Sequence, residues 1–334
     1  MNSFSEKNND HYDFKLPCSD LMWERYKNFI NSTHVRNKYK PSLYWKQREG
    51  SFDVKYENGF VYLKGLYNRN ILKEMNIGNI FQKLFLRLEI YYRILLRKIF
   101  FKKSKDPFPL MASKDDYINK RVNTYNSKYK KIVISLLGDY YDIEYEDVYA
   151  KHMDIVSNLE IHLNANSKTS LVEIGSGSGV LAFLLVKRLG FKKVDLIDLP
   201  VMIPICFFWL SAVIGESYVS LPGEKISPNV IFRLHNAGKV DLQHQSYDLA
   251  INVTSFQEMN HTLVKNYFFL IKNCLKSDGF FMCVNRWKKA TDFWLYPFSI
   301  FKNYKTIFFD EDITTRHSSM NKITVRKLIQ LQNF

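Results

Sequence analysis

Cysteine is scarce in this chain of 334 residues: there are four, Cys18, Cys206, Cys274 and Cys283, and no two form a CxxC pair. That spacing excludes a disulfide scaffold and a thiolate metal knuckle, and fits reduced packing residues of a cytoplasmic protein. Long apolar runs are also missing. No stretch approaches the roughly 18 apolar residues of a membrane-spanning helix, and the polar opening, MNSFSEKNNDHYDF, lacks the apolar core of a signal peptide. There are no internal repeats and no low-complexity tracts. Acidic residues are short as well, 33 against 48 Lys and Arg, which leaves a formal net charge of +15. Most of the imbalance is one feature, because residues 64–131 hold 17 Lys and Arg against 5 Asp and Glu. A basic excess of this kind favours anionic partners: a membrane surface, a nucleic acid or a phosphorylated substrate. With 46% hydrophobic and 16% aromatic residues, the chain can bury one large core or two ordinary ones.

Glycine is sparse too, at 13 residues, so three at alternate positions stand out: Gly175, Gly177 and Gly179. They fall inside residues 171–200, LVEIGSGSGVLAFLLVKRLGFKKVDLIDLP, which read as strand, glycine turn, helix and second strand. Glycine in such a turn permits positive φ and lets a ligand approach the backbone, while the helix start offers unpaired N–H groups. Asp198 ends the second strand, where a carboxylate can accept hydrogen bonds from a ribose diol. A dinucleotide turn, GxGxxG, would need its third glycine at position 180, which is valine; a P-loop would need a Gly-Lys pair, which is absent. What remains is ExGxGxG from Glu173 onward. The plain alternative is a glycine-rich α/β turn with no ligand.

ExGxGxG resembles the first motif of the class I S-adenosylmethionine-dependent methyltransferases. The resemblance implies an α/β fold, a Rossmann-like seven-stranded methyltransferase sheet flanked by helices, with S-adenosylmethionine as cofactor. It implies that Glu173, Gly175, Ser176, Gly177 and Gly179 pass the cofactor's methionine and ribose, and that Asp198 with Leu199 holds the ribose hydroxyls. A polar side chain after the third strand meets the adenine in many such enzymes; Asn236 is the candidate, with Asp241 second. Asn252, near the end of the fourth strand, faces the transferable methyl group. The Pro-Pro motif of DNA amino-methyltransferases is missing after Asn252, so methylation of a base is disfavoured. Asp198-Leu199-Pro200, the run SFQEM at 255–259 and Asn285-Arg286-Trp287 together resemble a sugar O-methyltransferase family of glycan and glycosylated natural-product loci, over residues 145–330. That implies a sugar or glycan acceptor, nucleotide-linked, lipid-linked or polymeric, with Asn285 and Arg286 in contact with it.

A sugar hydroxyl attacks a methyl group only if its proton is removed, so a base must stand in the acceptor pocket. Glu258 and His261, just past the fourth strand, are the candidates. Two plainer readings stay open: His261 as the head of a solvent-facing helix, and Glu258 as a structural residue. No metal site is expected, since Glu258 is the one obvious carboxylate there.

Along the rest of the chain, a disordered tail is expected at 1–15, a mainly helical basic domain at 16–165 and the methyltransferase domain at 166–334. Ser19 or Asp20 caps a helix through residue 30, and Asn58-Gly59 suggests a hairpin within 52–63. Residues 77–101 form a long amphipathic helix with a basic face. It either docks on an anionic membrane surface or simply packs its apolar face and solvates the other. Further helices are expected over 113–138, 148–163, 200–213 and 261–275, a proline-broken one over 292–301, and strands over 229–234, 247–253, 279–285, 304–309 and 323–328. Three functions stay open beside sugar methylation: methylation of a non-sugar hydroxyl, a non-catalytic cofactor-binding subunit at the membrane, and, least favoured, nucleic-acid binding.

Overall fold

The structure is a computed structural model, and it describes residues 12, 14–32, 52–64, 128–142, 145–163, 169–238, 240–286, 290–312 and 324–332. The expected basic helix 77–101, the first half of the helix expected over 113–138 and the loop 313–323 lie outside these residues.

The N-terminal part is less helical than expected among the described residues. Strand β1 (Phe14–Pro17) is followed by helix α1 (Asp20–Asn31) and by the hairpin β2 (Asp53–Glu57) and β3 (Phe60–Lys64), giving a three-stranded sheet in the order β1-β3-β2. Phe14 and Lys15, expected in the disordered tail, pair with Leu63 and Tyr62. Asn58 and Gly59 both take positive φ, 52° and 77°, as a two-residue hairpin turn requires. Ser19 caps α1 by accepting the Met22 N–H at 3.0 Å.

Helices α2 (Lys130–Leu137) and α3 (Glu146–His162) lead into the main sheet. Chain order continues β4 (Ser170–Ile174), α4 (Val180–Leu189), β5 (Lys193–Asp198), α5 (Ile203–Ile214), β6 (Val219–Ser220), β7 (Phe232–Asn236), β8 (Tyr247–Val253), α6 (His261–Cys274), β9 (Leu275–Arg286), β10 (Tyr304–Asp312) and β11 (Thr324–Leu331). The sheet has eight strands in the order β10-β11-β9-β8-β4-β5-β7-β6. It is an open α/β sheet flanked by helices, as expected, with one strand more than the seven expected: the two-residue edge strand β6 in a segment that reads as loop. The strands are parallel except β11, which runs antiparallel to β9 and β10.

β4 and β8 are buried along their whole length, which is why both read as continuous apolar runs rather than alternating ones. Right-handed crossovers put α4 and α5 on one face and α6 on the other. On the α6 face Phe268 meets Phe281, Phe298 and Phe301 at 5.1–5.6 Å between ring centroids. Residues 292–301, expected to be helical, are instead two 3₁₀ turns, Phe293–Leu295 and Phe298–Phe301, separated by Pro297. Pro297 has no N–H to continue a helix, and the aromatic rings on both sides of it turn into the α6 face. The four cysteines are buried and unpaired; burial pushes the Cys18 and Cys274 thiols up to about 12. No helix among the described residues is long and apolar enough to cross a membrane.

The N-terminal elements dock on α5 and the loop that follows it. Trp23 and Tyr26 pack against Phe208, and Arg25 lies over the Phe207 ring at 5.0 Å. The Arg25 fork bonds Glu224 through Nε at 2.8 Å and Nη2 at 2.6 Å, and also donates to the Glu216 and Val219 carbonyls. A planar, multiply bonded guanidinium of this kind is not replaceable by a point charge. Arg25→Ala should lower stability to urea by about 2 kcal/mol, and Arg25→Lys should recover less than half of the loss. Full recovery by lysine would show that only the charge matters.

Candidate functional site

The sheet reverses direction of growth at β4: the chain moves outward through β5 and β7, then returns to add β8 and β9 on the other side. Ligands of open α/β sheets bind at the carboxyl ends of the strands beside such a switch point. Here that edge carries the glycine turn after β4, Asp198 at the end of β5, Asn236 at the end of β7 and the loop 254–260 after β8.

All three glycines of the turn hold positive φ, 77°, 57° and 83°, a conformation that favours glycine strongly over residues with a Cβ. Their surroundings differ. A Cβ on Gly175 would collide with the Ser255 side chain, and one on Gly179 would come within 2.9 Å of Cys206 Sγ. At Gly177 nothing lies within 4 Å of that position. Gly175 and Gly179 are therefore glycine for packing, whereas Gly177 presents bare backbone to open space at the start of α4. Ser176 is buried, with its hydroxyl 4.0 Å from Cys206 Sγ.

Asp198 closes the turn. Its Oδ2 accepts the Gly177 N–H at 2.7 Å and its Oδ1 accepts the Leu199 N–H at 2.7 Å. Burial raises the Asp198 carboxyl, the two N–H bonds lower it and the nearby Glu258 charge raises it, leaving it at about 6. Glu173 is fully enclosed one strand away. Burial, and then the Asp198 charge, push its carboxyl well above the ordinary range, and its Oε2 has no hydrogen-bond partner. Asn236 is the cross-strand neighbour of Asp198 in the β5–β7 register and is buried; Asp241 is exposed. Asp198, bonded to the glycine turn, thus lies within electrostatic reach of both Glu173 and Glu258. Among the described residues no group of three or more His, Cys, Asp or Glu could hold a metal ion.

The loop after β8 is held by a buried amide network. The Ile174 carbonyl, the last of β4, accepts from Asn252 Nδ2 at 2.8 Å and from Ser255 Oγ at 3.1 Å, and the Asn252 amide also reaches Ser255 Oγ. Asn252 Oδ1 accepts from Asn285 Nδ2 at 2.7 Å, Asn285 Oδ1 accepts the Gln257 N–H at 3.0 Å, and Gln257 Oε1 accepts the Arg286 N–H at 2.8 Å. Asn252 and Asn285, expected against cofactor and acceptor, are corrected by this geometry: both are 0% exposed and their amides bond to protein.

The two candidate bases separate. Glu258 ends the 3₁₀ turn Phe256–Glu258, is half-buried, and stands close enough to Asp198 to act on its ionisation. His261 is the exposed first residue of α6, behind the Asn260 cap, with Nε2 3.2 Å from the Leu295 carbonyl. That contact needs a proton on Nε2 and leaves Nδ1 of a neutral ring as the acceptor. Arg286 ends β9, with its side chain half-buried. Ser255 and Gln257 enter the sequence reading only as members of the run 255–259, with no role of their own; their part in the buried network arises from contacts distant in the chain.

No protein-family profile and no curated protein matches the chain. Among solved structures it is similar to a TehB-like SAM-dependent methyltransferase from Corynebacterium glutamicum, at 11% identity over 64% of this chain and 100% of that one, TM-score 0.40. It is also similar to a SAM-dependent methyltransferase from Methanosarcina mazei, at 15% identity over 53% of this chain and 98% of that one, TM-score 0.39.

A buried carboxyl whose folded pKa is raised is stabilising when protonated and destabilising when ionised, so stability falls as pH rises from the unfolded value towards the folded one. Glu173→Gln removes that fall. Without ligand, the variant should match the wild-type melting temperature near pH 4 and exceed it by roughly 2–4 °C near pH 8. Equal melting temperatures across the whole range would mean that Glu173 has a partner in solution.

Proposed function

We propose that the chain binds S-adenosylmethionine at the β4–α4 turn and transfers its methyl group to a hydroxyl of a sugar acceptor. The observation that carries the cofactor half is the carboxylate set. In a chain of net charge +15, Asp198, bonded to a glycine turn that offers bare backbone, lies within electrostatic reach of both Glu173 and Glu258. Such a site suits a ligand with both a cationic centre and a diol. A carboxylate offers about four acceptor positions, and Asp198 uses two on backbone N–H groups, so the other two remain for ribose hydroxyls. Asn236, beside it, is placed for the adenine end, with Leu199 in the adjacent wall. Glu173 Oε2, enclosed and unpartnered, gains a partner from the cofactor's amino end.

The bound cofactor supplies an electrophilic methyl carbon. The protein must then hold the acceptor hydroxyl in line with it and take away its proton. Glu258, half-buried beside Asp198, takes that proton, and His261 meets the acceptor from the rim. The Asn252–Asn285–Gln257 network keeps the loop that carries Glu258 from shifting, and an error of an ångström there is expensive in rate. The sugar is supported by the likeness of Asp198-Leu199-Pro200, residues 255–259 and Asn285-Arg286-Trp287 to sugar O-methyltransferases. Arg286 suits the phosphate of a nucleotide- or lipid-linked sugar. The basic segment 77–101 would bring the chain to an anionic membrane surface, where lipid-linked acceptors lie.

Calorimetric titration with S-adenosylhomocysteine tests the cofactor half. Wild type should bind, and Asp198→Ala should bind at least about tenfold more weakly, the loss of one charged hydrogen-bond partner. No binding to well-folded wild type would sink the proposal. For the acceptor half, Glu258→Gln should retain homocysteine-product binding while methyl transfer to a glycan falls by about 10²–10⁴-fold. An unchanged rate would remove Glu258 as the base.

A further inference from the structure

Two carboxyl groups of the ligand edge are enclosed without a cation. Glu173, one residue before the end of β4, is 2% exposed, and Asp198, at the end of β5, is 8% exposed. They differ in what they bond. Asp198 accepts two backbone N–H groups, from Gly177 and Leu199. Glu173 Oε2 accepts nothing, and the cross-strand neighbours of Glu173, Leu196 and Ile251, are apolar. The ionisable groups within electrostatic reach are all acids. Asp198 from β5 acts on Glu173, Glu258 from the turn after β8 acts on Asp198, and the buried Cys206 thiol of α5 feels both Glu173 and Asp198. Helix α4 opens on buried apolar residues, Val180 to Leu185. Among the described residues neither Glu173 nor Asp198 forms an ion pair with Lys, Arg or His.

A carboxylate taken out of water with neither a counter-charge nor a donor is so unfavourable that the group keeps its proton instead. Where two such groups are neighbours, the one with hydrogen-bond donors ionises first, and its charge then holds the other neutral. Asp198 has the donors and ionises at about 6. Glu173 is the second group: burial, and then the Asp198 charge, push its carboxyl well above the ordinary range. An enclosed acid of this kind is compensated only by something that is brought to it.

We infer that the site takes up its cofactor in exchange for a proton: Glu173 is neutral in the empty site and ionises when the ammonium group of the cofactor's amino-acid end arrives beside it. The inference rests on the cofactor reading given above and adds a regulation of that same site, cofactor affinity set by pH. The exchange balances. The O–H bond of the Glu173 carboxyl breaks, its proton passes to the buffer, and the carboxylate left behind accepts N–H bonds from the ammonium. The enclosed region holds the same net charge before and after, so burial does not oppose the step. A ligand with the same adenosine but no amino-acid end leaves Glu173 protonated. A fall in pH therefore discharges the cofactor, and a rise loads it.

The test is calorimetric, on the full chain at about pH 7, in phosphate and in Tris, buffers of low and high ionisation enthalpy. The ligands are S-adenosylhomocysteine and methylthioadenosine, which keeps the ribose and adenine but lacks the amino-acid end. S-adenosylhomocysteine should release about one proton, and its affinity should rise about tenfold per pH unit while Glu173 of the empty site is protonated. Methylthioadenosine should release none. Glu173→Gln should bind S-adenosylhomocysteine without proton release and with an affinity that is flat between about pH 7 and 8. The variant should keep the wild-type affinity for methylthioadenosine, which also shows that it is folded. If S-adenosylhomocysteine binds wild type and releases no proton, or if the release survives Glu173→Gln or is matched by methylthioadenosine, the exchange at Glu173 is overturned and the cofactor reading stands. If S-adenosylhomocysteine does not bind folded wild type, the cofactor reading fails and the exchange with it.

Discussion

One carbonyl organises the site. The Ile174 oxygen, at the point where β4 stops being strand, receives both the Asn252 amide and the Ser255 hydroxyl. Residues 78 and 81 positions apart are thereby joined, and the glycine turn after β4 is locked to the loop after β8. The joint exists only because Gly175 has no side chain: its Cβ would stand where Ser255 is. The turn after β4 and the loop after β8 are consequently tied at one point, each fixing the other. Chemistry that needs a donor carbon and an acceptor oxygen in line benefits from such coupling, since neither loop can drift alone.

The same edge stores unfavourable electrostatics. Glu173 sits in a fully buried strand with an unpartnered oxygen, and Asp198 feels Glu258. In an apolar core the chain could have had leucine or glutamine at 173, and the backbone would have been as well paired. Buried ionisable groups without partners destabilise a fold, and they are tolerated where a ligand relieves them. The neighbouring clusters show the contrast. Asp195, equally buried, accepts from Tyr247 OH at 2.7 Å, His235 Nε2 at 2.6 Å and Arg233 Nη2, and its carboxyl is held below the ordinary range. Asp248 is bound by Lys276 and by the backbone at the start of β4. Two acids on the sheet are fully compensated and the two at its ligand edge are not.

What the amino-acid sequence disclosed follows from how local each signal is. Strand β4, the glycine turn, α4, β5 and Asp198 are contiguous, and each obeys a short-range rule, so they are legible directly. Glu258 is legible by its place after β8. Ser255 and Gln257 are not, because their importance arises from contact with Ile174, Asn285 and Arg286, which are distant in the chain. Asn252 and Asn285 were found but assigned the wrong surroundings. A polar residue in an apolar strand signals a buried hydrogen bond and does not reveal whether ligand or protein provides it. Residues 292–301 look helical because aromatic residues recur in them, yet rings anchored at Phe293, Tyr296, Phe298 and Phe301 need a tighter, proline-broken path. Strand β6 spans two residues, too few to carry a pattern.

Charge works on two length scales in this chain. The net +15 belongs largely to residues 64–131 of the sequence, and any charge that meets solvent is screened over about 8–10 Å at physiological ionic strength. The carboxylates of the ligand edge act over a few ångströms in a region that excludes water, where screening is weak. The first can gather anionic molecules at the surface without affecting what fits between Gly177 and Asp198. The second acts on whatever lies within a few ångströms of Asp198, independently of the charge of the chain as a whole.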